Sequence, residues 1–351
     1  MVTKISTKSL IIQFSTFIFL TTLGLVGCSK NDHSKDLSSI DLTLKIERFE
    51  QQLFSCKSVD DIIQLSEKNP RIYKIYTEYI VASNLYKPNA TQSDIAVELY
   101  KFISHSDMDS LYLLTQKKYP DLSSLEDQLT EAGKYILYYF PEDTIDKITT
   151  FISLCNYGII YNDLDNELLI GLDMYMGGDF EVYPLLNPEI FPTYRVKKFE
   201  PYRIASNSIQ TYIDQKIPQY QSNNFIDQAI YEGKKLYLAD VLLPAYDDSL
   251  KINYLNGQIE WCQEHERNIW SYLVEKEELY NTDKNKIQKR YFTDGPFTAP
   301  FGNESSPRAG AWIGWQIVRL YMEKNPEISI HQLISDTDHQ GIFRKSGYRP
   351  Q

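Results

Sequence analysis

The chain has 351 residues, of which 42% are hydrophobic, and it carries a net charge of -11. A chain of this size and composition buries a full hydrophobic core, as one domain or as two closely packed lobes. Its acidic balance, without any basic block, argues against a protein that binds nucleic-acid phosphates. The four cysteines show no paired spacing, so the sequence predicts neither a disulfide framework nor a zinc ribbon.

Residues 1–27 have the layout of a secretory signal peptide. Lys4 and Lys8 precede an apolar run, which is shorter and more interrupted than a membrane-spanning helix requires. The four residues that end at Cys28, Leu-Val-Gly-Cys, resemble the bacterial lipobox, in which the cysteine is lipidated and becomes the new N-terminus. We therefore expect Cys28 to attach the protein to a membrane through its acyl chains. The alternative is an ordinary cysteine at the end of the apolar run.

The segment that follows is polar and predicts a flexible tether over residues 28–40. Lys30-Asn31-Asp32 partly resembles the export tag of surface lipoproteins in the Bacteroidetes, which favours the outer membrane and leaves the membrane face open. Cleavage before Cys28 removes two of the 36 basic residues. The remaining 34 stand against 47 acidic residues, a net charge of -13.

Residues 41–140 are predicted to form a helical layer that begins with one short strand. Leu42, Leu44 and Ile46 alternate with polar residues, as in a half-buried strand. From Val59 onward, apolar residues recur three and four positions apart, and prolines fall at the junctions between helices. The predicted helices lie within residues 59–68, 71–85, 93–103 and 125–140.

Residues 145–180 change to a β pattern, in which turn residues separate three short apolar runs, and this predicts a small antiparallel sheet. Helical periodicity returns in residues 201–351, where two long helices joined by a turn occupy residues 224–278. A loop with three prolines interrupts it at residues 291–308. The sequence thus predicts an α+β fold, predominantly helical, in a single globular domain over residues 41–351.

A charged pair on the first of these two helices marks a candidate cleft. Glu232 and Lys235 are three residues apart and share a helix face. A structural ion pair is the favoured interpretation, and an acid or base beside a cation is the alternative. Arg308, directly before a glycine-containing helix, is expected to hold a carboxylate or to reach Glu232. On that helix Gly310 and Gly314 predict the close approach of a neighbouring backbone.

No two histidines lie four residues apart, so the His-Glu-x-x-His motif of zinc peptidases is absent. We therefore expect no catalytic residue, no metal and no other cofactor. Four tryptophans at helical spacing beside apolar residues are expected in the core rather than in a sugar-binding platform: Trp261, Trp270, Trp312 and Trp315. A set of glutamates is expected to form a solvated helix face: Glu260, Glu264, Glu266 and Glu275.

Several motifs resemble the GldB family of gliding-motility lipoproteins. They include Tyr-Glu-Gly-Lys-Lys-Leu-Tyr from residue 231, Gly-Ala-Trp-Ile-Gly-Trp-Gln-Ile-Val-Arg from residue 310, and Ser-Gly-Tyr-Arg-Pro from residue 346. The resemblance covers residues 225–350 well and residues 48–54 more weakly. It implies a lipoprotein of the cell envelope that serves gliding or the associated secretion machinery of the Bacteroidetes.

The GldB family is in turn similar to a zincin-like group of metallopeptidases, in which a Glu-Gly pair belongs to the metal-ligand helix. The resemblance places Glu232-Gly233 on that helix, whereas residues 205–209 of the preceding helix lack the histidine pair. It therefore implies a zincin-like core without the metal motif, a scaffold that has lost its chemistry.

Three functions follow as hypotheses. The first is a non-catalytic lipoprotein that supports gliding or the associated secretion machinery together with other envelope proteins. The second is a divergent zincin-like hydrolase that acts through Glu232. The third is a glycan- or peptide-binding lipoprotein, with tryptophan or tyrosine rings exposed along a groove.

Overall fold

Residues 33–85 and 90–350 are described by the computed structural model. The predicted signal peptide, Cys28 and the first part of the predicted tether lie outside these residues. The chain divides into two units, residues 1–34 and 35–351, and the elements that follow belong to the second. Within the described ranges, no helix is both long enough and apolar enough to cross a bilayer.

The N-terminal helical layer follows one short strand, β1 (Ile46–Arg48). Its helices are α1 (Phe49–Phe54), α2 (Val59–Lys68), α3 (Pro70–Ile75), α4 (Ala82–Leu85), α5 (Gln92–Ile103), α6 (Ser106–Lys118) and α7 (Ser123–Tyr139). A π-helical segment, Tyr76–Ile80, lies between α3 and α4. Capping side chains fix several helix starts, such as the Thr91–Asp94 capping box of α5. The predicted helices within residues 59–68, 93–103 and 125–140 are confirmed. The predicted helix at residues 71–85 is divided into α3, the π-helical segment and α4, and α1 and α6 are additional helices.

Three further strands join β1 in one sheet: β2 (Lys147–Phe151), β3 (Ile159–Asn162) and β4 (Glu167–Gly171). The strand order is β1-β2-β4-β3. β2 pairs in parallel with both β1 and β4, whereas β3 pairs antiparallel with β4. The α+β, predominantly helical class is therefore confirmed, but the sheet is mixed rather than antiparallel. β3 lies at the edge of the sheet. The chain that leaves β2 therefore forms this edge strand first and then returns to form β4 between β3 and β2.

Helices dominate the second half of the chain, as predicted. They are α8 (Thr193–Val196), α9 (Ile204–Lys216), α10 (Phe225–Leu242), α11 (Asp248–Lys251), α12 (Gln258–Glu275), α13 (Lys284–Ile287), α14 (Ala309–Lys324), α15 (Ile330–Ser335) and α16 (His339–Ser346). A second π-helical segment is Gln288–Phe292, and 3₁₀ turns cover Leu172–Tyr175, Tyr183–Leu185, Pro201–Arg203, Glu278–Tyr280 and Ala299–Phe301. α10 and α12 are the two long helices predicted in residues 224–278.

Helices α10 and α14 cross in direct backbone contact. A Cβ atom added at Gly314 would lie 1.8 Å from the carbonyl oxygen of Ala229, and one added at Gly233 would lie 2.3 Å from that of Gly314. Only glycine fits at such distances, so the predicted close approach at Gly314 is confirmed. Gly310 instead faces the ring of Phe292, 2.7 Å from where its Cβ would lie. Its neighbour is a side chain, and that part of the prediction was wrong.

Two of the four tryptophans belong to the core. Trp312 and Trp315 on α14 are 2% and 0% exposed, which confirms the prediction for this pair. Trp261 and Trp270 on α12 are only half-buried. Trp261 stacks on His265 with ring centroids 4.6 Å apart, so its indole face is covered by a neighbour on the same helix.

The glutamate face of α12 is exposed at three of its four positions, Glu260, Glu264 and Glu275. Glu266 accepts a hydrogen bond from the hydroxyl of Tyr348, and burial raises the pKa of this carboxyl. The prediction of a solvated side chain was therefore wrong for Glu266. It fastens the C-terminal Ser-Gly-Tyr-Arg-Pro motif to α12.

A buried lysine–histidine contact ties α16 to α10. Lys234, which is 2% exposed, donates to the carbonyl oxygen of Asp336 and lies 3.2 Å from Nε2 of His339. Nδ1 of His339 lies 3.0 Å from the carbonyl oxygen of Asp227. A carbonyl only accepts, so Nδ1 carries the proton and Nε2 accepts from Lys234. Burial lowers the pKa of Lys234 to about 8, and burial and the Lys234 charge lower that of His339 to about 4.

The helix crossing predicts that Gly314→Ala is strongly destabilising. The added methyl group overlaps the backbone of Ala229, which cannot rotate away as a side chain end can. We expect a loss of about 3 kcal/mol in the free energy of unfolding, measured by urea denaturation. Gly295→Ala is the control, because its nearest neighbour would lie 3.7 Å away. A Gly314→Ala protein as stable as this control would contradict the backbone contact.

The buried histidine predicts a loss of stability in acid. The pKa of His339 in the folded chain, about 4, lies below the ordinary value of 6.5, so the unfolded state binds more protons between these values. Stability from this group is present above pH 6.5 and is lost as the pH falls to 4, by about 3 kcal/mol in all. His339→Gln cannot titrate and should remove this part of the acid loss.

Urea denaturation of the wild-type and His339→Gln proteins at pH 7 and pH 4 measures the difference in their free energies of unfolding. Asp173 has the opposite sign, because burial raises its pKa to about 6 and favours the folded state in acid. Comparison with the variant isolates His339, since Asp173 is the same in both proteins. His265→Gln controls for the loss of a histidine from the half-exposed Trp261 stack. An unchanged pH slope in His339→Gln would contradict the assignment.

Candidate functional site

The three residues of the predicted cleft line one cavity. Glu232 and Lys235 lie on α10, and Arg308 directly precedes α14. All three border a space of about 230 Å³ between these helices and α9. The helix crossing at Gly233 brings them together, because it fixes the start of α14 against the middle of α10.

Lys235 pairs with a residue on another helix rather than with Glu232. Its Nζ lies 3.0 Å from Oδ1 of Asp214 on α9 and 4.5 Å from the centre of the Tyr231 ring. Burial lowers the pKa of Lys235, but the charges of Glu232 and Asp214 outweigh burial and leave it above its usual value. Lys235 is therefore a fixed cation that bridges α9 and α10, and the favoured Glu232–Lys235 ion pair is wrong as a direct contact.

Glu232 has a neutral partner. Its Oε1 accepts a hydrogen bond from Nε2 of Gln228, one turn earlier on α10, at 3.1 Å. No ion pair within 4.0 Å joins Glu232 to another described residue. Its carboxylate thus borders the cavity with one hydrogen bond, in the field of Lys235.

Arg308 lies in the left-handed region, with φ of 53°, at the N-cap of α14. A non-glycine residue there costs conformational energy, on the order of 1–3 kcal/mol, which the surrounding structure has to compensate. Among residues 33–85 and 90–350, its guanidinium makes no hydrogen bond or ion pair. The expected contact with Glu232 is therefore absent, and the group is open to a ligand in the cavity.

A second ion pair at this site, Lys198–Asp294, was not predicted from the sequence. Lys198 is 5% exposed, and its Nζ lies 2.9 and 3.0 Å from the two carboxylate oxygens of Asp294. Burial lowers the pKa of Lys198, and the charges of Arg308 and Arg203 lower it further, against the attraction of Asp294. Lys198 is thus held by Asp294 and lies in the field of two further cations, Arg308 and Arg203. Lys198 and Asp294 are in irregular segments far apart in sequence, so no local sequence pattern predicts the ion pair.

A network of charges lies behind the cavity. Arg319 on α14 donates to both carboxylate oxygens of Asp240 at 2.7 and 2.6 Å, and to those of Asp248 at 2.8 and 2.9 Å. Lys251, which also borders the cavity, lies 3.0 Å from Asp240. The indole of Trp315 donates to Asp240 at 2.9 Å. The buried carboxylate is thereby fully paired, as a stable buried charge requires.

In the part of the chain that the structure describes, no cluster of metal-binding side chains lies at this site. No group of three or more His, Cys, Asp or Glu side chains there is placed to hold a metal ion. Residues 205–209 of α9, where the resemblance would place a histidine pair, present Ala205 and Ser206 as buried side chains. Arg308 and Glu232 present opposite charges at the cavity.

The comparisons with known proteins identify the family of the chain. No curated protein and no solved structure matches the chain, so the zincin-like core stays a prediction. A family model described as gliding motility protein GldB matches residues 30–350. This range includes the motifs at residues 231, 310 and 346 together with the N-terminal helical layer. Because the match spans nearly the whole chain, the protein belongs to the GldB family of gliding-motility lipoproteins of the cell envelope.

Proposed function

We propose that this protein is an outer-membrane lipoprotein, anchored through Cys28, that supports gliding or the associated secretion machinery by binding other envelope proteins without catalysing a reaction. The observation that carries the proposal is the family match over residues 30–350. The lipobox-like residues that end at Cys28 support the anchor. The partial resemblance of Lys30-Asn31-Asp32 to an export tag supports the outer membrane.

The contacts of the cavity favour binding over catalysis. Lys235 is held as a cation by Asp214, so it does not serve as a base near neutral pH. Arg308 and Glu232 offer opposite charges, neither of which is neutralised by an ion pair with another described residue. In a binding role, Arg308 recognises a carboxylate of the partner, which does not require the charge of Glu232. The same cavity also suits the alternative hydrolase, in which Glu232 is the acid or base.

If Cys28 is lipidated, the Cys28→Ala protein should be released from the membrane or should keep its signal peptide. Without the thiol there is no acyl attachment, and the protein should move to the soluble fraction or keep its signal peptide. Membrane fractionation and intact-mass analysis measure the two outcomes. Cys56→Ala is the matched control, because Cys56 is a free thiol within the folded chain. Unchanged processing and membrane retention in Cys28→Ala would refute the anchor.

A non-catalytic role predicts that Glu232→Gln still supports gliding. The amide keeps a polar contact with Gln228 and removes only the charge, so we expect spreading close to that of the wild-type chain. The test is complementation of a gliding bacterium that lacks its own family member, with protein level followed by immunoblot. Glu264→Gln, on the exposed face of α12, is the matched control.

Two outcomes would count against the proposal. Loss of gliding in Glu232→Gln at a normal protein level would contradict the non-catalytic role and favour the hydrolase. Failure of an anchored, folded wild-type chain to restore gliding would contradict the role in gliding itself.

A further inference from the structure

The chain that precedes β1 lies along helix α7 and runs antiparallel to it. The backbone amide of Ile46 donates to Oε1 of Glu126 at 2.9 Å, near the start of α7. The amide of Lys35 donates to the hydroxyl of Tyr135 at 3.3 Å, near the end of α7. Followed backward from β1, the chain therefore reaches the C-terminal end of α7 at Lys35.

Two leucines hold this segment in place. A Cβ atom added at Gly133 would lie 2.8 Å from Cδ2 of Leu42, so the leucine fills the space that the glycine leaves open. Leu44 is 4% exposed, and its amide donates to Oγ1 of Thr130 at 3.0 Å. The segment is thus fixed to α7 by packing as well as by hydrogen bonds.

The attachment at Lys35 limits where the predicted anchor can lie. Cys28 is seven residues before Lys35, and seven residues reach at most about 25 Å. A compact unit of the size of residues 35–351 has a radius of gyration of roughly 20 Å, so it is about 50 Å across. With acyl chains on Cys28, the end of the unit opposite to Lys35 therefore cannot rest on the bilayer.

An exposed tyrosine ring lies one turn beyond the attachment point. Tyr138, three residues after Tyr135 on α7, is 45% exposed and meets the ring of Tyr139 edge-on, with ring centroids 5.0 Å apart. Tyrosine is enriched at membrane–water interfaces, because its ring is apolar and its hydroxyl stays hydrated. Among the orientations that the short connection allows, the one that places Tyr138 on the bilayer is therefore favoured.

Charges of both signs lie near this end of α7. Cations and carboxylates are mixed there: Lys35, Lys134 and Lys216 with Asp36, Glu131 and Glu142. The contact with lipid thus relies on the apolar ring rather than on a basic patch, and a neutral lipid is the suitable probe.

Leu185 marks the opposite end of the unit. β1 enters the sheet near the start of α7, and β2 and β4 run parallel to β1, so all three strands end on that side. Tyr119, just before α7, donates to the carbonyl oxygen of Tyr175 in the 3₁₀ turn after β4. Leu185 lies in the next 3₁₀ turn and is 83% exposed. Helix α7, with 17 residues and a length of about 25 Å, separates the two ends.

We propose that the C-terminal end of α7 faces the lipid bilayer, with the ring of Tyr138 in the headgroup region and Leu185 directed away from the membrane. The proposal rests on lipidation at Cys28, which is part of the proposed function. The anchor holds the ring near the surface at an effective concentration on the order of millimolar. The ring therefore adds to an attachment that already exists and does not have to bind lipid alone.

Tryptophan fluorescence of the lipidated full-length protein in vesicles tests this orientation. Tyr138→Trp and Leu185→Trp each add one fluorophore, and the wild-type protein gives the background of its own four tryptophans. Phosphatidylcholine vesicles are compared with vesicles of the same lipid that carry bromine near the headgroup end of the acyl chains. Because bromine quenches only nearby tryptophans, we expect the Tyr138→Trp protein to lose most of its added fluorescence and the Leu185→Trp protein to lose none.

Each other outcome counts against the proposal. Equal quenching of the two variants, or quenching of Leu185→Trp alone, overturns the orientation. Quenching of neither overturns it as well, and is the result expected if another envelope protein, rather than lipid, covers Tyr138. Intact mass separates this failure from that of the anchor. A chain without the acyl mass refutes lipidation at Cys28 and the proposal with it, whereas an acylated chain without quenching refutes the orientation alone.

Hydroxyl-radical footprinting of the wild-type lipidated protein in vesicles gives a second test, in the event that Tyr138→Trp does not fold. Tyr138 and Tyr157 are similarly exposed, at 45% and 39%. Tyr157 precedes Gly158, whose carbonyl oxygen accepts from the amide of Gly171 at the end of β4, on the side of Leu185. We expect Tyr138 to be oxidised more slowly than Tyr157. Equal oxidation of the two rings overturns the orientation.

Discussion

The crossing of α10 and α14 is the contact on which the rest of the structure depends. Gly233 and Gly314 allow the two backbones to touch, and any larger side chain at either position separates the helices. Glu232 and Lys235 flank Gly233, while Arg308 stands at the start of α14. The distance between the two walls of the cleft is therefore set by two glycines. The motifs at residues 231 and 310 contain Gly233 and Gly314, the two glycines of this crossing.

Charged hydrogen bonds also hold α10 and α14 together. Asp240 on α10 is 2% exposed and accepts from Arg319, Trp315 and Lys251. A network of this kind is costly to break, roughly 3–5 kcal/mol for the loss of one partner, because the remaining charges stay buried. Lys251 belongs both to this network and to the cavity wall. The cavity is thus rigid on the α10 and α14 side, and its charges are held in a fixed arrangement.

Much of this could be predicted from local patterns, and the rest depends on contacts between distant residues. Periodicity located the long helices, but α6 buries only Met108, Leu111 and Thr115, too few apolar residues to mark a helix face. The turn between β3 and β4 correctly indicates an antiparallel pair. Leu154 and Cys155 adopt left-handed backbone conformations and direct the chain away from a β2–β3 hairpin. No sequence pattern indicated these two conformations.

The same limit applies to the site. Helix spacing placed Glu232 and Lys235 on one face, yet the partner of Lys235 is on α9.

Hydrogen exchange followed by mass spectrometry tests most directly whether the crossing of α10 and α14 is the scaffold of the structure. Amides of residues 229–242 and 313–322, which lie beyond the first turn of each helix, should exchange last, with an opening free energy equal to that of global unfolding. Exchange of these amides ahead of those in α2 and α5 would contradict the account.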